Sequence, residues 1–445
     1  MSYRYPEGNV FYRKLARSYP VCVKGEGIYL YDQNGKKYID GSGGPVCVNI
    51  GHGIKEIAEA ARDQAQKVAY VHGTQFTTIA VEEYAKELAK VLPQGIDKIY
   101  FLSGGSEATE AALKLARQYQ LELGNQQRYK AVGRWYSYHG NTMGALSMGG
   151  RPGARKLYLP LLSNFPHIPP SYCYRCPFGK TYPQCNIECA RILERVIELE
   201  GPETISAFIA EPVVGATIGA VVPPKEYYPI IRDICNKFNI LFIADEVMSG
   251  FGRTGKWFSI NHWNVIPDII TIGKGISSGY IPLAAMATKK EIVDVIKKGS
   301  GNFVHGHTFS HHPVSCAVGL AVLRYLKKHN LVEQSAKRGK YLFQRLNELR
   351  EFPFVGDVRG KGLMTAIEFV KDKENKVPFP RAFHFTEKIL EESFEKGLIL
   401  YPSKGFVDGV NGDAVMIAPP FVIEEKEIDE IVNILRAVFT EVANK

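Results

Sequence analysis

Short, almost uninterrupted apolar runs, interleaved with stretches of helical spacing, restrict this chain more than any other feature does. The runs are KIYFL (98–102), ISAFIA (205–210), ILFIAD (240–245), DIITI (268–272) and LAAMAT (283–288). Strands that lack a polar face must be covered on both sides, which is the signature of a doubly wound α/β sheet, mainly parallel, with helices on each face. Helices are predicted over 106–120, 187–200, 226–238 and 313–328. In the first of them Ala108, Ala111, Ala112, Leu115 and Tyr119 recur at the period of an amphipathic helix.

At 445 residues the chain is long enough for one large core and a second, smaller lobe. The pattern changes near residue 330. A long helix (331–350) leads into VGDVRGKGLMTAIEF, then come a helix (382–396), two short strands and a last helix (425–441). The expected division is a large domain over 61–330, a small α+β domain over 331–445, and a segment over 1–60 that packs on the small domain. Within that first segment GIYLYDQNGKKYID reads as a hairpin turning at Asn34-Gly35.

A net charge of +9 is modest for this length, and no block of like charges points to nucleic acid. The N-terminus has no apolar stretch of signal-peptide length. The most apolar window, ISAFIAEPVVGATIGAVVPP, is interrupted by Glu211 and by prolines. A cytoplasmic protein that contacts neither membrane nor nucleic acid is expected. Four of the cysteines, Cys173, Cys176, Cys185 and Cys189, sit in CYRCPFGKTYPQCNIEC. That spacing is compatible with a structural zinc knuckle, with packed thiols, or with a disulfide. No metal is assigned to the functional site.

Three motifs fall where open α/β sheets bind ligands, at the C-terminal ends of strands. In KIYFLSGGSEATEAALKLARQY a strand, a glycine turn and a helix follow one another. Ser106 can cap the helix, and its first N–H groups make an anion site that Gly104 and Gly105 leave open to a phosphate. In ILFIADEVMSGFGRTG the acidic pair Asp245-Glu246 ends a strand. These carboxylates could face a cationic ring nitrogen, bind a metal or substrate, or only cap a loop. In DIITIGKGISSGYIPLAA, Lys274 stands between two glycines at the end of the next strand, with room to swing. A phosphate cup, a carboxylate and a lysine at neighbouring strand ends are what pyridoxal 5'-phosphate requires. The lysine forms a Schiff base with the aldehyde, and the carboxylate keeps the pyridine nitrogen protonated.

SGGSEATEAALKLAR, YHGNTMGALSMGG, AEPVVGATIGAVVPP, ADEVMSGFGRTG, PDIITIGKGISSGYIPLAA and VRGKGLMTAIEF stand in the order and approximate spacing of the class III aminotransferases. The chain resembles that family from about residue 25 to residue 420. The resemblance implies a fold-type I pyridoxal phosphate transferase that moves an amino group from an ω-amino acid such as 4-aminobutyrate, or a related amine, to 2-oxoglutarate or pyruvate by a ping-pong mechanism. It further implies Lys274 as Schiff-base lysine and general base, and Asp245 against the pyridinium. Val247 and Tyr138 would cover the two ring faces, with His139 beside Tyr138, and the N–H groups of Gly105 and Ser106 would bind the phosphate. Thr308 would reach the phosphate of a neighbouring subunit, so that a homodimer, possibly a tetramer, shares its active sites. Arg359 would grip a substrate carboxylate and Glu211 would pair with it when another substrate end must fit. Taken as residues alone, Arg359 also reads as a structural ion pair, Tyr138 and Val247 as core, and His139 as a packed neighbour.

The sequence departs from the family at Met248, where many members carry a glutamine that contacts the pyridine hydroxyl, and at Val214 and Gly104. Two other readings accompany the aminotransferase: an amino acid racemase or epimerase of the same fold, and a metal-dependent hydrolase using His305, His307, His311 and His312 with Asp245 and Glu246.

Overall fold

A computed structural model describes residues 2–4 and 8–444. Its centre is a seven-stranded sheet in the order Ile96–Leu102, Ala284–Lys289, Ile269–Ile272, Leu241–Asp245, Ile205–Ala210, Lys130–Arg134 and His167–Ile168. All neighbouring pairs are parallel except those of Ala284–Lys289, which runs antiparallel to both its neighbours. The expected mainly parallel α/β sheet is therefore present. Ile205–Ala210 and Leu241–Asp245 are buried at every position, the consequence of apolar runs with helices on both faces. On one face Gly105–Glu122 buries Ala108, Ala111, Ala112, Leu115 and Ala116 against Ile209, Ile243 and Ala284.

Two strands of this sheet were not among the expected ones. Lys130–Arg134 has a charge at each end, and His167–Ile168 is only two residues long. Arg134 can be buried because its guanidinium donates to the carbonyl of Glu211 (2.5 Å) and to the hydroxyl of Tyr228 (3.4 Å).

Beyond residue 330 a four-stranded antiparallel sheet, Val355–Lys361, Met364–Phe369, Asp413–Ile417 and Tyr401–Lys404, is covered by Leu331–Asn347, Phe385–Glu395 and Glu425–Ala443. The hairpin at Asn34-Gly35 joins Tyr29–Asp32 to Lys37–Asp40, and the latter pairs in parallel with Leu398–Ile399. Arg253 ties these parts together: it donates to the carbonyls of Leu363, Ala418 and Pro419, to that of Val48, and to Asn49.

Candidate active site

The parallel strands deliver their C-terminal ends to one edge of the sheet, and the loops there enclose a cavity of about 190 Å³. Of the cofactor- and substrate-binding residues that the resemblance implies, all but Thr308 and Arg359 border it. The strand ends set their positions. Ile96–Leu102 runs into the helix that starts at Gly105, Ile205–Ala210 runs directly into Glu211, and Leu241–Asp245 finishes on Asp245. Lys274 follows Ile269–Ile272.

Lys274 sits at φ +47, a left-handed conformation that a side chain resists and that concentrates at functional positions. Burial lowers its pKa, because water no longer solvates the ammonium; Cys47, Asp245 and Glu211 offset part of that effect. The amine is thus easier to deprotonate than an exposed lysine and is a better nucleophile. The flanking glycines do not provide swinging room, as the sequence had suggested. A Cβ on Gly273 would lie 3.0 Å from Val247 Cγ1, and one on Gly275 would lie 2.3 Å from Asn49 Nδ2. They are close-packing positions.

Asp245 is 3% exposed and held from two sides. Val247 N–H donates to its Oδ1 (3.0 Å), and His139 Nδ1 lies 2.6 Å from its Oδ2. His139 therefore orients the carboxylate, a more specific position than a neighbour of Tyr138. The buried Nε2 of His139 meets no partner among the described residues. Glu246, the other half of the acidic pair, turns away from the cavity: its oxygens accept from Ser249 Oγ (2.6 Å) and Ile260 N–H (2.7 Å). It fastens the following loop.

At the other end of the cavity lies the start of Gly105–Glu122, whose first N–H groups have no partner within the helix and carry the positive end of its dipole. Ser106 does not cap this helix. It lies within the first turn, and its hydroxyl donates to Asn141 Oδ1 (2.9 Å) and accepts from Asn141 N–H (3.0 Å). A Cβ on Gly105 would fall 2.7 Å from Val247 Cγ1, and one on Gly140 would fall 2.5 Å from Ser106 Oγ. The glycines let the loops close into a cradle at the helix start. Gly140 was missed in the sequence, although it follows the Tyr138-His139 pair directly; Val213 and Ala216, which also border the cavity, gave no signal.

This donor set fits pyridoxal phosphate. The helix start suits a dianion, a fixed carboxylate suits a ring nitrogen that must stay protonated, and a half-buried lysine of lowered pKa suits an aldehyde. Val247 and the half-exposed Tyr138 line the space between them. Met248 borders the cavity too, packed against Gly215. Its thioether offers no strong hydrogen bond where many family members have a glutamine.

Arg359 is elsewhere. Its Nη1 donates to Glu368 (2.6 Å) and Asp357 (3.1 Å), its Nε to the carbonyl of Gly219 (2.6 Å), and its Nη2 to that of Ile218. The guanidinium also stacks on Tyr172, 5.0 Å from the ring centre. The expected pairing with Glu211 is absent. Glu211 Oε2 accepts from Tyr138 N–H (3.3 Å) and Oε1 from Gly215 N–H (3.1 Å). The reason is local: Arg359 and Glu368 project from the same face of one hairpin, on diagonal neighbours, and meet before anything from the large sheet can reach either. Of the two sequence readings, the structural ion pair describes Arg359 here.

The histidines of HGHTFSHH are spent separately. His307 Nε2 lies 3.1 Å from Glu107, His305 and His311 pack on the ring of Tyr100, and His312 accepts the N–H of Ser315 at a helix start. None of them borders the cavity that holds Asp245. Among the described residues no group of three His, Cys, Asp or Glu side chains is arranged to hold a metal ion, so the hydrolase reading loses its ligand set. Cys173, Cys176, Cys185 and Cys189 surround a small separate cavity as free thiols.

Comparison with known proteins agrees with this geometry. The family described as aminotransferase class-III matches residues 12–439. The chain is 42% identical over 422 residues to an uncharacterized aminotransferase, YodT, of Bacillus subtilis, covering 95% of each. It is 37% identical to the putrescine–pyruvate aminotransferase of Pseudomonas aeruginosa over 94% of this chain and 89% of that one. Its structure superposes on a PLP-bound amine transaminase from an uncultivated Pseudomonas species with a TM-score of 0.91, at 36% identity, covering 99% and 98% of the two chains. Transamination thereby displaces the racemase and hydrolase readings. The chain belongs to the class III aminotransferases, enzymes of fold type I that depend on pyridoxal phosphate.

Proposed function

We propose that the amino donor is a terminal primary amine, on an ω-amino acid such as 4-aminobutyrate or a related molecule, and that the acceptor is a small keto acid, 2-oxoglutarate or pyruvate. The observation that carries this reading is the single cavity in which Lys274, Asp245 and the start of Gly105–Glu122 converge. One cavity has to serve donor and acceptor in turn, which is a ping-pong arrangement. The bound cofactor supplies an aldehyde for the amine and an electron sink for the carbon that bears it.

The chain's own residues do the rest. Lys274, its amine made less basic by burial, takes up and returns the proton at that carbon. Asp245, held by Val247 N–H and His139, sets a negative charge against the ring nitrogen. The N–H groups of Gly105 and Ser106 would hold the phosphate, and Tyr138 and Val247 would confine the ring, which would keep the reacting carbon near Lys274.

In this reading the working unit is a homodimer. Thr308 lies exposed and outside its own chain's cavity, and the segment around it shows Val304, Phe309 and, nearby, Tyr70 to solvent. An exposed apolar patch of that kind suits a second subunit, whose phosphate Thr308 would reach. Residues 61–330 would then hold the cofactor, with 331–445 and the segment 1–60 forming the smaller body beside it, as the pairing of Lys37–Asp40 with Leu398–Ile399 favours.

The test is a half-reaction screen. The yellow, cofactor-loaded protein is mixed with a panel of amines, the chromophore is followed, and turnover is compared with and without each keto acid. Bleaching by donor alone, restored by 2-oxoglutarate or pyruvate, is expected. Amine consumption that ignores the keto acid would refute the proposal.

A further inference from the structure

Four free thiols, Cys173, Cys176, Cys185 and Cys189, border one cavity of about 20 Å³, the room of roughly one water molecule. Amine transfer makes no use of them, and this cavity shares no lining residue with the one around Lys274. Within the group the thiols are not equivalent. Cys173 is exposed and Cys185 is buried. Burial raises the pKa of Cys173, and of the neighbouring thiols Cys185 acts on it most, ahead of Cys176. Cys189 is pushed up to about 11 by burial, has Ser171 as a hydrogen-bond partner, and is fixed on the helix Glu188–Glu200.

The two halves of this segment are anchored to different parts of the molecule. Cys173 opens the turn Cys173–Arg175, which is docked on the four-stranded sheet: the Tyr172 hydroxyl and Arg175 Nε both donate to Glu368, and Lys376 Nζ donates to the carbonyl of Tyr174 (2.9 Å). Cys185 leads into Glu188–Glu200, which packs on Tyr227–Phe238 beside the seven-stranded sheet. Residues 177–184, between the anchors, are mostly exposed, so few packing contacts hold the two sulfurs apart.

We propose that Cys173 and Cys185 form a reversible oxidation site, in which a small-molecule disulfide such as oxidised glutathione converts the two thiols into one intramolecular disulfide. The Cys173 sulfur, as thiolate, attacks the small disulfide; a mixed disulfide forms and the first small thiol leaves. Cys185 then attacks the Cys173 sulfur and displaces the second. The two protein thiols are oxidised, the small disulfide is reduced, and the protons of the protein thiols end on the two small thiols. Cys176 and Cys189 stay reduced. The new bond fastens the turn on the four-stranded sheet to the helix layer of the seven-stranded one, and it removes freedom from the unfolded chain.

The cofactor-loaded protein is incubated with oxidised glutathione, blocked with an alkylating reagent and digested without reduction, and its peptides are weighed. Peptides joined through Cys173 and Cys185 are expected, together with a raised midpoint in urea that falls back when dithiothreitol is added. In Cys185→Ser the reaction should stop at glutathione bound to Cys173, and the rise in midpoint should vanish. Cys176→Ser should still form the bond. Unreacted thiols, mixed disulfides alone, or a bond between any other pair of cysteines in the unaltered protein would overturn the proposal. So would a rise in midpoint that survives in Cys185→Ser, or four thiols that resist oxidation and alkylation because they retain zinc.

Discussion

Replacing Arg359 by alanine should unfold the protein more easily rather than blind it to carboxylates. The guanidinium holds Glu368, which is fully buried and also receives Arg175 Nε at 2.6 Å and the hydroxyl of Tyr172. Removing one member of a buried ion pair costs about 3–5 kcal/mol, because the remaining charge is left in a poor solvent. Arg175 stays in place and keeps the loss of the ion pair near the lower figure. The carbonyls of Gly219 and Ile218 lose their donors as well, adding roughly 1 kcal/mol each if water does not reach them. The sum is about 3–5 kcal/mol, read as a lower midpoint in denaturant titrations of the cofactor-loaded protein. Arg359→Lys keeps the charge without the fork and should fall in between. Because Arg359 and Glu368 act as a pair, Arg359→Ala combined with Glu368→Gln should lose less than the two separate losses added together. Steady-state kinetics of the same variants should show similar changes for 4-aminobutyrate and butylamine. A midpoint that does not move, together with a KM raised only for carboxylate-bearing partners, would refute this reasoning and restore Arg359 as a substrate clamp.

Glu246 gives a pH signature of its own. Burial raises its pKa from 4.5 to about 7, against the pull of Ser249 and the Ile260 N–H. The folded state therefore holds this proton more tightly than the unfolded state. Relative to Glu246→Gln, the stability of the unaltered protein should fall as pH rises from about 4.5 to about 7, by roughly 3 kcal/mol in all, and stay level above that. A constant difference between the two across that window would show that Glu246 is not held protonated. Gly275→Ala forces a methyl to within 2.3 Å of Asn49 Nδ2, which bonds the carbonyl of Phe251, and should destabilise the protein by about 1–3 kcal/mol. Unchanged unfolding of that variant would show that the loop after Lys274 yields freely.

The central sheet was legible because its strands are buried on both faces and so read as continuous apolar runs. Lys130–Arg134 escaped for the opposite reason: Arg134 is buried by virtue of Tyr228 and a carbonyl nearly eighty residues on, partners that no local pattern displays. The antiparallel course of Ala284–Lys289 was equally invisible, since apolar composition does not encode direction. Within the cavity, Lys274 and Asp245 could be found because reactive groups at strand ends stand out against apolar neighbours. Arg359 looked equally purposeful in VRGKGLM. What decided its role was Glu368, an acid embedded in the apolar strand Met364–Phe369, and only the register of the hairpin shows that the two share a face. Glu211 lies on the cavity wall, but its acceptance of the Tyr138 N–H, from a segment 73 residues earlier, shows only in the structure.

The covalent role of Lys274 is tested most directly by loading the protein with pyridoxal phosphate, reducing it with borohydride, digesting it and weighing the peptides. A single adduct on the peptide containing Lys274, lost together with the yellow colour in Lys274→Ala, is the predicted result. Label on another lysine, or a Lys274→Ala protein that stays yellow and still transfers amino groups, would contradict the account.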